Sequence, residues 1–157
     1  MRVGIGRDVH RLEAGGRLVL GGVCVDDSRG PVAHSDGDAL LHAVIDAMLG
    51  AAGLGDIGDH FPDSDPQYRG ADSRGLLRRA AGLLEERGLR VVQVDSTVML
   101  EAPKLGPHKR TMRETIAADL GLDAADVNVK AKTAEGLNAV GRGDAVAAEA
   151  AVLVDQT

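Results

Sequence analysis

Four stretches of this chain repeat their apolar residues every second position, and between them lie stretches that repeat every third or fourth. Val3, Ile5 and Val9 alternate with Gly4, Gly6, Asp8 and His10, interrupted on the apolar side only by Arg7. Val92, Val94, Ser96, Val98 and Leu100 form a second such run, Val127, Val129 and Ala131 a third, and Val146, Ala148, Ala150, Val152 and Val154 a fourth. A period of two predicts strands with one apolar face, so Asp8 and His10 share the opposite face of the first. Arg17 to Val25 reads as a hairpin around Gly21-Gly22, a pair that accepts the positive φ of a tight turn.

The helical period predicts three helices. One runs from about Asp38 to Ala52 with Leu41, Val44, Ile45, Met48 and Leu49 as its apolar stripe, capped by Ser35 or Asp36. A second starts at Asp72-Ser73, buries Leu76, Leu77, Ala80, Leu83 and Leu84, and stops at Gly88. A third carries Met112, Ile116 and Leu120 and closes at Gly121. Gly53 to Gly70, rich in glycine, proline and aspartate, reads as a long loop, which in a compact domain tends to carry function. The order of elements implies an α+β fold: a single mixed β-sheet with helices packed on one face. At 157 residues, without a repeat or linker, the chain is read as one domain spanning residues 1–157.

Phe61 and Tyr68 are the only aromatic residues, while glycine occurs 21 times, so the core is aliphatic and alanine-rich. Such thin packing layers favour burial of further surface against copies of the same chain. The formal net charge of -6 and a pI near 5.3 argue against nucleic acid or a polybasic membrane surface as partner. No apolar run approaches the ~18 residues of a spanning helix. The opening Met1-Arg2-Val3-Gly4-Ile5-Gly6 lacks an apolar signal core, so the expected compartment is the cytoplasm. Cys24 has no partner for a disulfide and reads as a packing residue.

Asp8-x-His10 places a carboxylate and an imidazole side by side on a strand, a geometry that grips a metal ion and also occurs at ordinary solvated strand ends. His42 strengthens the metal reading. It is flanked one helical turn away by Asp38 and Asp46, whose carboxylates are placed to orient its ring. A His/His/Asp set with no cysteine suits a zinc that keeps one open position for a substrate oxygen. His34-Ser35 precedes a helix N-terminus, which favours phosphate and equally suits plain capping. Asp56-Ile57-Gly58 and Phe61-Pro62-Asp63-Ser64-Asp65 offer carboxylates on a glycine-flanked loop. Lys130 to Glu135 gathers cations, a hydroxyl and a carboxylate, the residue types of a phosphate-plus-metal site or of a solvated strand end.

Taken in order, several motifs closely resemble one family. They are Asp8-Val9-His10, Gly21-Gly22-Val23, Ala33-His34-Ser35-Asp36-Gly37-Asp38, His42, Leu54-Gly55-Asp56-Ile57-Gly58, Phe61-Pro62-Asp63, Ala71-Asp72-Ser73, Ala102-Pro103-Lys104, Asp126 to Ala131, Thr133, Glu135 and Gly141-Arg142-Gly143. The resemblance is to the 2-C-methyl-D-erythritol 2,4-cyclodiphosphate synthases of the non-mevalonate isoprenoid pathway, and it runs from Met1 almost to the C-terminus. It implies a homotrimer with active sites at subunit interfaces. The reaction implied converts 4-diphosphocytidyl-2-C-methyl-D-erythritol 2-phosphate into the cyclic diphosphate and CMP. The nucleophile is then the substrate's own phosphate, so no Ser, Cys or general-base histidine is required.

By position, the resemblance implies zinc on Asp8, His10 and His42, and magnesium or manganese on Glu135. It implies that His34, Ser35 and Thr133 hold phosphate oxygens, with Ala134 also at the substrate and charge added by Lys132. Asp56, Ile57 and Gly58 match sugar contacts, and Phe61, Pro62, Asp63, Ser64 and Asp65 border the methylerythritol phosphate. Leu100, Glu101, Ala102, Pro103, Lys104, Leu105 and Gly106 align with a cytosine pocket read by main-chain groups. Arg7 and Ala139 depart from the pattern, since many relatives carry aromatics there; with Arg142 and Glu149 they border an axial cavity that can hold an isoprenoid diphosphate. Losing both rings weakens apolar contact in it. Glu149, if buried, needs a cationic partner, for which Arg7 and Arg142 are candidates. Two other functions remain open: a metal-dependent phosphohydrolase, in which zinc activates water, and a non-catalytic trimeric binder of metal or small molecules.

Overall fold

The computed structural model describes residues 1 to 157, and every period-two stretch forms a strand. The strands are β1 (Arg2–Ala14), β2 (Leu18–Leu20), β3 (Val23–Asp26), β4 (Arg29–Pro31), β5 (Leu89–Met99), β6 (Val127–Lys132) and β7 (Ala145–Gln156). Five of them make one sheet in the order β4-β1-β7-β5-β6. Only β5 and β6 run parallel, joined by a helical crossover, so the sheet is mixed as expected. The expectation of a single sheet needs one correction: β2 and β3 form a separate two-stranded ribbon. Gly21 and Gly22, at φ of 59° and 74°, turn it tightly. Leu18 and Leu20 are fully buried, which holds the ribbon on the helical layer rather than at a sheet edge.

The helices are α1 (Ala39–Ala52), α2 (Ile57–His60), α3 (Ser73–Glu85), α4 (Lys109–Leu120) and α5 (Asn138–Gly141). Within the stretch read as a long loop, α2 and a 3₁₀ turn at Pro66–Tyr68 give local order. Gly121 closes α4 with a φ of 66°. The cap of α1 is Asp38, not Ser35 or Asp36. In β5 a bulge between Val91 and Gln93 shifts the alternation, leaving Val92 half-buried and Val91 in the core.

Central helix α1 buries 11 of its 14 residues, so its apolar surface is far wider than the stripe read from the sequence. It lies directly on β1, and glycine makes that approach possible. A Cβ on Gly4 would sit 1.9 Å from the Ala47 carbonyl oxygen, and one on Gly6 would sit 2.0 Å from that of Ala43. The core face of β1 is therefore its glycine face. Val3, Ile5 and Val9 point the other way and are 68%, 72% and 65% exposed. Neighbouring β7 contributes the apolar core: Val146, Ala148, Ala150, Val152 and Val154 are all buried.

Candidate metal centre and its cavity

Continuing along the glycine face of β1 by steps of two brings Asp8 and then His10 past the start of α1. There the helix offers His42, one position from the Ala43 carbonyl that covers Gly6. Asp8 Oδ2 lies 2.9 Å from His10 Nδ1 and 3.1 Å from His42 Nδ1. One ligand atom from each of the three residues falls within 4.8 Å of the others. The two imidazole rings have centroids 5.4 Å apart, tilted by 55°.

Asp8 feels opposing forces. Burial raises its pKa, but the hydrogen bond to His42 and the closeness and charge of His10 and His42 overcome that and hold it at about 2. For His42, burial works against the imidazolium, yet Asp8 beside it leaves the pKa raised. His10 Nδ1 is buried and has no partner in hydrogen-bonding geometry, despite its closeness to Asp8. Two imidazole nitrogens and a carboxylate oxygen, one nitrogen orphaned and all facing one point, fit a divalent metal ion.

Asp38 and Asp46 do not orient the His42 ring, contrary to the sequence reading. Fully buried Asp38 accepts from the backbone N–H groups of Gly21, Gly22 and Leu41, tying the hairpin to α1. Burial pushes its carboxyl up to about 6 against those three bonds. Asp46 accepts from Ile57 N–H and so positions α2. The partner of His42 Nε2 is instead Ser73 Oγ at 2.9 Å, with Ser35 Oγ at 3.3 Å. Only the Asp72-Ser73 helix start hinted at this residue.

The centre opens into a cavity of about 540 Å³ lined by His34, Ser35, Ile57, Gly58, Phe61, Pro62 and Asp63 besides the three ligand candidates. His34 Nε2 meets the Asp65 carbonyl at 3.3 Å. Asp56 and Asp59 cap α2 reciprocally through each other's backbone N–H. Asp65 caps the 3₁₀ turn by accepting from Gln67 N–H, and Ser64 is not in the cavity wall. In the wall, Phe61 and Tyr68 meet edge to face at 5.6 Å. Arg79 stands over both rings, a residue with no signal in the sequence.

The remaining candidates gather elsewhere, at the ends of β5 and β6. Leu100 N–H donates to the Lys132 carbonyl, and Glu101 Oε2 accepts from Ala134 N–H. These bonds hold the 100–106 loop against the 132–135 segment. Arg29 donates to the carbonyls of Ala102 and Gly143, Ala102–Pro103 is a cis peptide, and Leu105 is buried while Lys104 and Gly106 are not. Thr133 Oγ1 donates to Glu135 Oε1 at 3.3 Å, and Glu135 holds a positive φ of 52°, unusual without glycine. Ala139 and Arg142 lie on or beside α5, where Arg142 pairs with Asp144. No residue of this second group lines the cavity at His42. Arg7 does pair with Glu149, at 3.2 Å across β1 and β7, on the open face of the sheet.

Comparison with known proteins agrees with this architecture. A family model described as the YgbB family matches residues 1–155. The 2-C-methyl-D-erythritol 2,4-cyclodiphosphate synthase of Desulfosudis oleivorans is 56% identical over 154 residues, covering 98% of this chain and 92% of that protein. A solved structure of 2C-methyl-D-erythritol-2,4-cyclodiphosphate synthase in its CDP-bound form superposes with a TM-score of 0.90 at 44% identity, over 98% of this chain and 100% of that one. The bifunctional IspDF of Campylobacter jejuni matches at a TM-score of 0.96 and 41% identity; this chain spans 99% of its own length but 42% of that larger protein. The chain therefore belongs to the YgbB family, that of the 2-C-methyl-D-erythritol 2,4-cyclodiphosphate synthases.

Proposed function

We propose that this chain converts 4-diphosphocytidyl-2-C-methyl-D-erythritol 2-phosphate into 2-C-methyl-D-erythritol 2,4-cyclodiphosphate with release of CMP. The observation that carries the proposal is the convergence of Asp8, His10 and His42 at the head of a cavity that also holds His34 and Ser35. Asp8, His10 and His42 would hold zinc and Glu135 magnesium or manganese, which supply Lewis-acid polarisation of the β-phosphate and neutralise charge on the departing CMP. The 2-phosphate of the substrate attacks the β-phosphorus, and the bond to the CMP oxygen breaks.

The residues of the chain position and neutralise. His34 and Ser35, beside the start of α1, orient phosphate oxygens by hydrogen bonding, and Thr133 and Lys132 do the same for the transferred group. Asp56, Ile57 and Gly58 take the sugar hydroxyls, with Phe61 to Asp65 beside the methylerythritol phosphate. Main-chain groups along Leu100 to Gly106 read the cytosine edge, a recognition that tolerates changed side chains.

The active site is shared between neighbouring subunits of a homotrimer. Two features support this reading: the cavity at His42 contains none of the 100–106 and 132–135 residues, and the sheet leaves Val3, Ile5 and Val9 uncovered. No helix is long and apolar enough to cross a membrane. With a charged nucleotide as substrate, we assign the reaction to the cytoplasm.

Phosphorus NMR of the protein incubated with substrate and magnesium, with and without a chelator, tests the proposal. Cyclic diphosphate and CMP, lost on chelation and regained with zinc and magnesium, are the expected products. Cleavage without cyclisation would make the protein a phosphohydrolase, and intact substrate with both metals present would make it a binder.

A further inference from the structure

We propose that Asp36 and Ser73 form a positioning pair that fixes the tautomer of His42, so that Nδ1 is the nitrogen it offers to a metal. The proposal rests on reading Asp8, His10 and His42 as a metal site, and it concerns residues with no part in the ligand set itself. Ser73 is fully buried at the start of α3. Its hydroxyl has a single proton and lies between two groups, the Asp36 carboxylate and His42 Nε2.

A carboxylate only accepts. Asp36 already collects the N–H groups of Ser73 and Asp38 at 3.0 and 3.1 Å, and the Ser73 hydroxyl completes the set as a third donor. With its proton directed to Asp36, Ser73 Oγ can meet His42 only as an acceptor, so Nε2 must carry hydrogen. Ser35 Oγ, 3.3 Å from the same nitrogen, accepts from Gly37 N–H and keeps a second lone pair free to accept the Nε2 hydrogen as well. The nitrogen left to exchange its proton for a metal is Nδ1, which faces Asp8 Oδ2. A histidine ligand is commonly locked through its other nitrogen, and loss of such a partner typically weakens metal binding by about 10–100-fold.

Ser73→Ala removes the acceptor while its backbone N–H stays bound to Asp36, so the start of α3 keeps its anchor. Ser73→Thr keeps the hydroxyl. Zinc affinity is measured by chelator competition, and the ring nitrogens of His42 are read by long-range proton–nitrogen NMR of the zinc-loaded protein. The expected result is a wild-type His42 with hydrogen on Nε2 and zinc on Nδ1. Ser73→Ala should bind zinc about 10-fold or more weakly, with the Nε2–H signal shifted or exchange-broadened, and Ser73→Thr should recover most of the affinity. Should Ser73→Ala fail to fold, Asp36→Asn releases the hydroxyl proton toward His42 and should weaken zinc binding in the same direction. Unchanged affinity and unchanged His42 signals in a folded Ser73→Ala protein would overturn the proposal. A wild-type protein that binds no zinc would overturn the metal reading and this inference with it, a separate outcome because the wild type is measured first.

Discussion

His42 is the residue on which the site depends, because it is the one candidate ligand that the helical layer brings to the strand carrying Asp8 and His10. On the proposed function, replacing it with alanine is expected to abolish zinc binding and turnover while leaving the sedimentation of the protein unchanged. Metal analysis and sedimentation of His42→Ala check both parts. The same cluster sets a pH window in the metal-free protein. The Asp8 pKa is depressed to about 2, so its stabilisation is present above the unfolded value of about 3.9 and is lost as pH falls through 2. His42 is raised, so its contribution is complete below about 6.5 and is lost as pH rises through its folded value. Thermal melts of chelator-treated protein should therefore show this pair contributing fully between about pH 4 and 6.5 and declining on either side. Asp38 differs in kind, since it serves backbone rather than metal. Asp38→Ala strips three N–H groups of their acceptor and should cost at least about 2 kcal/mol in urea unfolding.

Among the elements, the contact between β1 and α1 decides the most. Glycine is a weak strand former, and two glycines on one face would ordinarily mark a poor strand. Here they permit a backbone-to-backbone approach that seats α1 low on the sheet and carries His42 to Asp8. Gly6→Ala forces a methyl group into the Ala43 carbonyl, which neither element can evade without separating. We expect a loss of about 3 kcal/mol or more, measured by denaturant unfolding, together with weaker zinc binding as His42 lifts away from β1. The hairpin of β2 and β3 was legible from Gly21-Gly22, and the end of α4 from Gly121; α3 instead stops at Glu85 with Glu86 as its cap, short of Gly88. The cap of α1 was not, because Ser35, Asp36 and Asp38 all have the right chemistry. Only the position of the hairpin N–H groups selects Asp38.

At the scale of the whole molecule, the sheet has a covered side and an open one. The open side bears Val3, Ile5 and Val9 beside two ion pairs, Arg7 with Glu149 and Lys130 with Asp95. If this side is the trimer interface, Ile5→Asp buries an unpaired carboxylate there and should yield monomers in sedimentation velocity. Turnover should fall with the trimer, whereas zinc should remain, because Asp8, His10 and His42 all belong to one chain. A variant that sediments like the wild type would remove this face from the interface.

The sequence by itself determined the local elements and the chemistry available to them. Alternation of two and three-to-four residues predicted strands and helices, and it put Asp8 and His10 on one face, because these periods are properties of the backbone alone. Tertiary structure decided which face is which. The apolar run Val3, Ile5, Val9 had the pattern of a core face, yet the core took the glycines, since a helix can approach a strand closely only where no Cβ intervenes. It also decided that His42 would meet Asp8, 34 residues distant, and that Ser73 rather than Asp38 or Asp46 would hold its ring. The four-residue spacing of Asp38, His42 and Asp46 aligns the side chains on one helix, but neighbouring elements drew the two carboxylates elsewhere. Contacts between distant elements follow from side-chain volume and from backbone groups in need of partners, and neither is written in a local pattern.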